Sequence, residues 1–520
     1  MVTPVSTRSE IAYGSGDVYR ELLQLEQPCF IVRGENGVGA TVDPVLARQA
    51  QVLAAVPPLP PESLGDPDFR RDHGVHQAYA MGAMANGIAS AELVIASAKA
   101  GYLASFGAAG LVPNRIDDAL TRIRRETSGS PFACNLIHSP SEPAMERVLV
   151  DLCLRHEVRR IEASAFLDLT PQVVRYRAAG LTRDNHGRVV VGNRVIAKVS
   201  RAEVAERFLR PAPQALLRPL VESGAITAEQ AELALRVPMA DDITAEADSG
   251  GHTDRRPLSV LLPEILALRD RVQREQNYAD PVRVGAAGGI GTPAAAAAAF
   301  ALGAAYLVTG SINQACVEAD QSPATKTLLA GAGPADCAMA PSADMFEMGV
   351  DVQVLKRGTM FAGRAKRLYE VYRAYEAMED IPDEDRTELE QRIFQRPLQD
   401  VWQDCVQFFS ERDPEQIERA KDNSKRRMAL TFRWYLGLAS GWSIRGIPER
   451  LADYQIWCGP ALGGFNQWVT ATYLAAPANR RVADVATHIM RGAAFTSRVN
   501  QLRLSGVRLP ADCTSYVPTP

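Results

Sequence analysis

Between residues 76 and 309, short apolar runs alternate with stretches of helical length, and this alternation restricts what the chain can fold into more than any other feature. The runs at 76–82, 102–107, 132–137, 159–163, 194–199, 239–247, 282–286 and 305–309 read as strands. Helical segments at 90–99, 116–126, 143–155, 201–209 and 293–302 lie between them. Eight such units in roughly 240 residues match a (β/α)8 barrel. The expected fold class is therefore α/β, a (β/α)8 TIM barrel, followed by an additional C-terminal helical domain.

The flanks follow different patterns. Residues 1–70 form a lead-in, in which Cys29-Phe-Ile-Val-Arg33, Gly34-Glu-Asn-Gly37 and the run from Val38 predict a β-hairpin. Pro57, Pro58, Pro60 and Pro61 make a stiff linker to the barrel, placed at 71–345. Within the barrel, 184–192 predicts a small hairpin and 211–236 one or two extra helices. After Ser311 the alternation stops and a loop-rich stretch runs to about Asp344. Residues 346–520 read as mostly helical, with segments at 363–379, 383–395, 398–411 and 414–437, and are expected to cover the barrel mouth.

Composition excludes several partners. The chain has 57 basic and 61 acidic side chains and a formal net charge of −4. Neither nucleic acid nor a membrane surface is an expected partner for so balanced a surface. Eight scattered cysteines without a CxxC pair suggest reduced thiols, and residues 1–20 lack the apolar core of a leader peptide. The most apolar stretch, 294–308, is alanine-rich and too short to span a bilayer. A cytoplasmic protein is expected.

In such barrels chemistry sits at the carboxyl ends of the strands, and the unusual residues of this chain fall there. The seventh strand runs into Ala287-Gly288-Gly289-Ile290-Gly291 and an alanine-rich helix, while the eighth ends in Thr309-Gly310-Ser311. Glycines let the backbone approach a ligand, and a helix start offers free N–H groups. Two such loops on consecutive strands favour a phosphate grip, one that suits FMN and other phosphorylated ligands. The sixth strand ends in Glu246-Ala-Asp248-Ser249-Gly250-Gly251-His252, which places an imidazole on a flexible crossing at the mouth. The chain has seven histidines, and the other six stand in weaker settings. No two have metal-ligand spacing with a carboxylate nearby, so no catalytic metal is expected. The small residues of Gly82-Ala83-Met84, after the first strand, allow a flat ring against the backbone. Asn135 and Lys198, ending strands three and five, could reach the edge of such a ring.

Met81-Gly-Ala-Met84, Glu246-Ala-Asp-Ser-Gly-Gly-His252, Ala287-Gly-Gly-Ile290 and Thr309-Gly-Ser311 together resemble the flavin-binding set of the nitronate monooxygenase and bacterial FMN enoyl-reductase superfamily. The chain is most similar to its PfaD-type branch, the trans-acting enoyl reductases of polyunsaturated fatty acid and polyketide synthases. That likeness is carried by Asp248-Ser-Gly-Gly-His-Thr-Asp-Arg-Arg-Pro257, Leu355-Lys-Arg-Gly-Thr-Met-Phe361, Met428-Ala-Leu-Thr-Phe-Arg-Trp-Tyr-Leu436 and Asp453-Tyr-Gln-Ile-Trp-Cys-Gly-Pro-Ala461.

The resemblance implies that Ala287, Gly288, Gly289, Gly310 and Ser311 hold the FMN phosphate. Gly82, Ala83 and Met84 would line the isoalloxazine, with Asn135, Lys198, Gly250 and Gly251 beside it. His252 would stand over the reacting face as the catalytic residue. The run Cys458-Gly-Pro-Ala-Leu-Gly-Gly464 resembles a return segment towards the flavin, but it carries proline where glutamine is common, and it stays outside the expected site.

The implied reaction is reduction of the 2,3-double bond of an enoyl thioester, with NADPH (or NADH) as hydride donor through FMN. Its substrate would be an enoyl chain linked through phosphopantetheine to an acyl carrier protein, within a synthase complex, with a homodimer as the expected assembly. Nitronate monooxygenase, dependent on FMN and oxygen, is the alternative. Arg419, Lys421, Lys425, Arg426 and Arg427 read as a solvated helix face, with a docking patch for an acidic carrier protein as the second reading.

Overall fold

The computed structural model describes residues 10–139 and 143–520. Residues 1–9, the start of the expected lead-in, lie outside the described residues. Eight parallel strands close a barrel: β1 (Tyr79–Met81), β2 (Leu103–Phe106), β3 (Ala133–Ile137), β4 (Arg160–Ser164), β5 (Arg194–Val199), β6 (Asp242–Glu246), β7 (Arg283–Ala287) and β8 (Leu307–Thr309). Each pairs with its neighbours in sequence, and β8 closes onto β1 through Leu307 beside Tyr79 and Thr309 beside Met81. Every strand expected from the alternation is present, in its expected order.

The barrel floor is a buried polar plug. Arg283 Nε donates to Asp242 Oδ1 at 2.6 Å, His73 Nε2 meets Asp242 Oδ2 at 2.8 Å, and Arg283 Nη1 reaches Asp72 Oδ2 at 2.8 Å. This is the amino-terminal end of the barrel, where such features serve stability. His73 is fully buried in this plug.

A helix follows each of the first seven strands, from Ala91–Lys99 to Pro293–Ala301, and the two extra helices expected after β5 are Gln214–Glu222 and Ala228–Ala234. The eighth place in the ring is filled from far along the chain. Val482–Leu504 packs between Pro293–Ala301 and Ala91–Lys99, so that residues 311–480 form an insertion between β8 and its helix. The close approach needs small residues: a Cβ on Gly492 would stand 2.5 Å from Pro293 Cγ, opposite an alanine-rich surface.

The same helix fastens the amino-terminal segment. The fully buried Arg498 donates to the carbonyls of Leu22, Gln24, Leu25, Gln27 and Pro57. Burying a guanidinium is costly unless its hydrogens are satisfied, and here the carbonyls of an irregular segment take up both Nη groups.

The expected hairpin is Cys29–Gly34 with Gly37–Thr41. A third strand, Gln51–Val56, extends it. Its side chains are mostly exposed, so it carries no alternation to betray it.

Within the insertion, Cys337–Pro341 and Asp351–Leu355 are strands in a region expected to be loop and helix. Asp351–Leu355 is the centre of a three-stranded antiparallel sheet whose other edge is Gly251–His252, after β6. The remaining helices, including Phe361–Ala374, Leu398–Arg412 and Ser424–Arg445, enclose a second apolar core built on Phe346, Phe361, Leu368, Phe394, Phe432 and Tyr435. The expected helix 414–437 is interrupted where the Asn423 side chain accepts the Arg426 N–H and starts Ser424–Arg445 anew. No helix among the described residues is long and apolar enough to cross a membrane.

The basic cluster is internally engaged. Lys425 Nζ donates to Tyr375 O at 2.7 Å and stands 4.5 Å from the centre of the Tyr372 ring. Arg426 binds Gln416, Arg427 pairs with Glu379, and Arg419 pairs with Glu415.

Candidate active site

The loops after β7 and β8 form a cradle. Gly288 and Gly289 have φ of +79° and +72°, a region L side chains enter only at a cost. A Cβ on Gly288 would stand 2.5 Å from the Ala247 carbonyl carbon, so packing against the loop after β6 requires that glycine. Gly289 and Gly310 differ: a Cβ on either would meet nothing within 4 Å. Backbone thus lies bare to open space at the ends of two adjacent strands, with the helix Pro293–Ala301 starting beside it. These residues fit a phosphate group, whose oxygens accept from backbone N–H at such a place.

Ser311 faces the same cradle and accepts the N–H of Gly459 at 3.0 Å. The return segment 458–464 thus meets the cradle at Gly459, beside its proline. Just before it the chain runs beside the small sheet, with Leu355 N donating to Ile456 O at 2.8 Å. Its backbone fills the space over Gly250, where a Cβ would stand 2.9 Å from Cys458 N. Gly250 is accounted for by this crossing, and Gly251 by a φ of +82°.

Across the mouth stand three charged side chains from neighbouring strands. Lys198 Nζ lies 3.3 Å from Glu246 Oε1 and 3.5 Å from Glu162 Oε1. Burial alone would lower the Lys198 pKa, but Glu246 and Glu162 override it and raise the group above the ordinary lysine range. Lys198 is thus a fixed cation at the barrel mouth. Glu162 also accepts the N–H of Ala83 at 3.2 Å, which ties the loop after β1 to this group. Gly82 donates to Thr309 O at 2.8 Å, and Met84 is buried. The Asn135 amide is held along β4, donating to Glu162 O at 3.0 Å and Ser164 Oγ at 2.8 Å.

His252 lies on the short strand pairing with Asp351–Leu355, which brings its Nε2 to 3.2 Å from Asp344 Oδ1. The contact has ion-pair distance without hydrogen-bond alignment, and Nε2 is buried with no other partner. It is therefore a polar atom poised for something further. Burial works against the charged imidazole, but Asp344, and more weakly Glu246, raise its pKa above the ordinary value, with Lys198 opposing. Burial would likewise raise Asp344, yet His252 holds it below the usual carboxylate range. Gln353 fixes the crossing by donating to Asp248 Oδ1 at 2.8 Å and Ser249 O at 2.6 Å.

Asp344 and Glu162 escaped sequence reasoning. Glu162 had a signal, a lone carboxylate inside the apolar run of β4. Asp344 had none, since only the pairing of distant strands brings it to His252.

An open glycine cradle at strands seven and eight, a buried lysine between two glutamates, and a histidine–carboxylate pair together mark the candidate active site of a (β/α)8-barrel enzyme. Residues 74–357, more than half of the chain, match the family model for nitronate monooxygenase, and the chain belongs to that family. Residues 6–58 match the N-terminal domain of fatty acid synthase subunit PfaD, and residues 375–454 the inserted helical domain of acyl-carrier-protein S-malonyltransferase.

The chain is 49% identical over 491 residues to a polyunsaturated fatty acid synthase subunit of Thraustochytrium sp., covering 93% of this chain and 33% of that one. It is 45% identical to the polyketide biosynthesis protein PksE of Bacillus subtilis, covering 92% of this chain and 61% of that one. Both relatives extend well beyond the region matched. Among solved structures, the enoyl reductase domain of MlnA, from the macrolactin biosynthesis cluster of Bacillus amyloliquefaciens, superposes with a TM-score of 0.82 at 40% identity. That match covers 86% of this chain and all of that one.

Proposed function

We propose that the protein is an FMN-dependent, NADPH-driven enoyl reductase acting on enoyl thioesters carried on acyl carrier protein, within polyunsaturated fatty acid or polyketide assembly. The observation that carries this reading is the His252–Asp344 pair beside the open cradle of Gly289 and Gly310. The likeness to the MlnA enoyl reductase domain supports the same reaction.

Bound with its phosphate at Gly288, Gly289, Gly310 and Ser311, FMN would supply the hydride relay between nicotinamide and the β-carbon. The chain's own residues supply position and charge. The Lys198 cation would favour negative charge developing near it on a bound ring. His252, whose protonated form Asp344 favours, would offer a proton to the α-carbon or a hydrogen bond to the thioester oxygen as charge develops there. An insertion that covered the mouth would suit a long carrier-tethered chain better than a small nitronate.

The test is an absorbance spectrum of the purified protein, then anaerobic NADPH, then a crotonyl thioester. Flavin bands that bleach with NADPH and return with the thioester are expected. Bands that ignore the thioester, with oxygen uptake driven by a nitronate, would favour the nitronate monooxygenase reading instead.

A further inference from the structure

The motif Met428-Ala-Leu-Thr-Phe-Arg-Trp-Tyr-Leu436 lies on Ser424–Arg445, outside the barrel. Its apolar members Met428, Phe432, Tyr435 and Leu436 are buried in the second core, which explains their presence. Arg433 needs another explanation. It reaches out of the helix to the turn carrying Asp344, where its Nε donates to Ala343 O at 2.7 Å and its Nη1 lies 3.1 Å from Glu347 Oε1.

The two anchors bracket Asp344, one on the residue before it and one three residues after. The turn has internal ties as well: Ser342 N donates to Val350 O at 2.9 Å, and Met345 N donates to Ser342 Oγ at 3.3 Å. Those ties join the turn only to itself and to the start of the next strand. The Phe346 ring of the turn packs against Tyr369 and Tyr372, and Arg433 adds a polar connection to Ser424–Arg445, with a side chain only 17% exposed. A planar guanidinium can meet a carbonyl and a carboxylate at once through different edges, which an ammonium on a single flexible stem cannot do in the same geometry.

We propose that Arg433 is a positioning residue of the active site, clamping the 342–347 turn so that Asp344 stays against His252. The inserted helix then takes part in the acid–base chemistry from outside the barrel. The catalytic consequence rests on the role given to His252 above; the clamp itself does not. Three charged groups act on His252, namely Asp344 from the turn, Glu246 from β6 and Lys198 from β5. Only the first depends on Arg433, so loosening the clamp has a defined effect on the titration of the imidazole.

The experiment is an NMR titration of the full chain with carbon-13-labelled histidine, the His252 signal being identified by its loss in His252→Gln. Asp344→Asn should lower the His252 pKa. Arg433→Gln should lower it in the same direction, by about half a pH unit or more, and the double variant should go no lower than Asp344→Asn alone. Should Arg433→Gln not fold, Arg433→Lys keeps the charge without spanning both anchors and should give a smaller shift of the same sign.

A wild-type titration in the Arg433 variants beside a shifted one in Asp344→Asn would overturn the clamp. So would an unshifted titration in Asp344→Asn. Failure of the catalytic reading is distinguishable, since it would show as undiminished enoyl reduction by His252→Gln whatever the titrations report.

Discussion

The N–H of Gly459 donates to Ser311 Oγ at 3.0 Å, joining a late segment of the long insertion to the loop with which that insertion begins. The hydrogen bond brings the insertion back to the glycine cradle from which it starts. Residues that would hold a cofactor thus depend on the inserted segment being folded.

Gly289→Val should abolish flavin retention while leaving the barrel intact. The substitution fills the open side of the cradle and places a β-branched residue at φ +72°. The backbone strain costs about 1–2 kcal/mol, which a chain of this size tolerates. The flavin-to-protein ratio after gel filtration, compared with a far-UV spectrum and melting temperature, measures the two effects separately.

The pH dependence of reduction should report the His252–Asp344 pair. Because the His252 pKa is raised, the imidazolium persists to higher pH than in a free histidine. Activity that needs it should fall as pH rises through that raised value. In Asp344→Asn the fall should move to lower pH, and His252→Gln should lower kcat by about 10²-fold with flavin content unchanged. The contribution of the pair to stability has the same sense. The His252 part is full below its unfolded pKa and lost as pH rises through its folded one, while the Asp344 part is lost as pH falls through its lowered value.

Lys198→Met should destabilise the protein by about 3 kcal/mol, because it leaves Glu162 and Glu246 at the barrel mouth without their cation. Adding Glu246→Gln should recover part of that loss. Denaturant midpoints at constant slope give both values.

Arg498→Met should cost about 3 kcal/mol or more, since several carbonyls of the amino-terminal segment lose their donor inside the protein. Limited proteolysis should then cut first between residues 22 and 57, the span Arg498 fastens.

Lys425→Glu should lower the melting temperature, and KM for a carrier-bound substrate and for a free thioester should change together. Its ammonium is committed to the carbonyls of Tyr372 and Tyr375, not offered to a partner. A selective rise for the carrier-bound substrate would restore the docking-patch reading.

Much of the protein is legible in one dimension. The eight barrel strands, the hairpin Cys29–Gly34 with Gly37–Thr41, and the glycines of the cradle all rest on local rules: buried parallel strands are continuous apolar runs, and positive φ selects glycine. His252 stood out because it follows two glycines at the end of a strand. What local pattern does not carry is which distant segments meet. Val482–Leu504 completes the ring because Gly492 and an alanine-rich neighbour allow close approach, and nothing periodic marks it as the eighth helix. Gln51–Val56 and Cys337–Pro341 hold their places through pairing partners rather than alternation. Asp344 meets His252 only because a strand after β6 pairs with one from the insertion, a contact set by backbone hydrogen bonds that any sequence can make. Composition and periodicity thus determined the barrel and its glycine-rich strand ends, while tertiary packing alone decided which acid meets the histidine and which helix closes the ring.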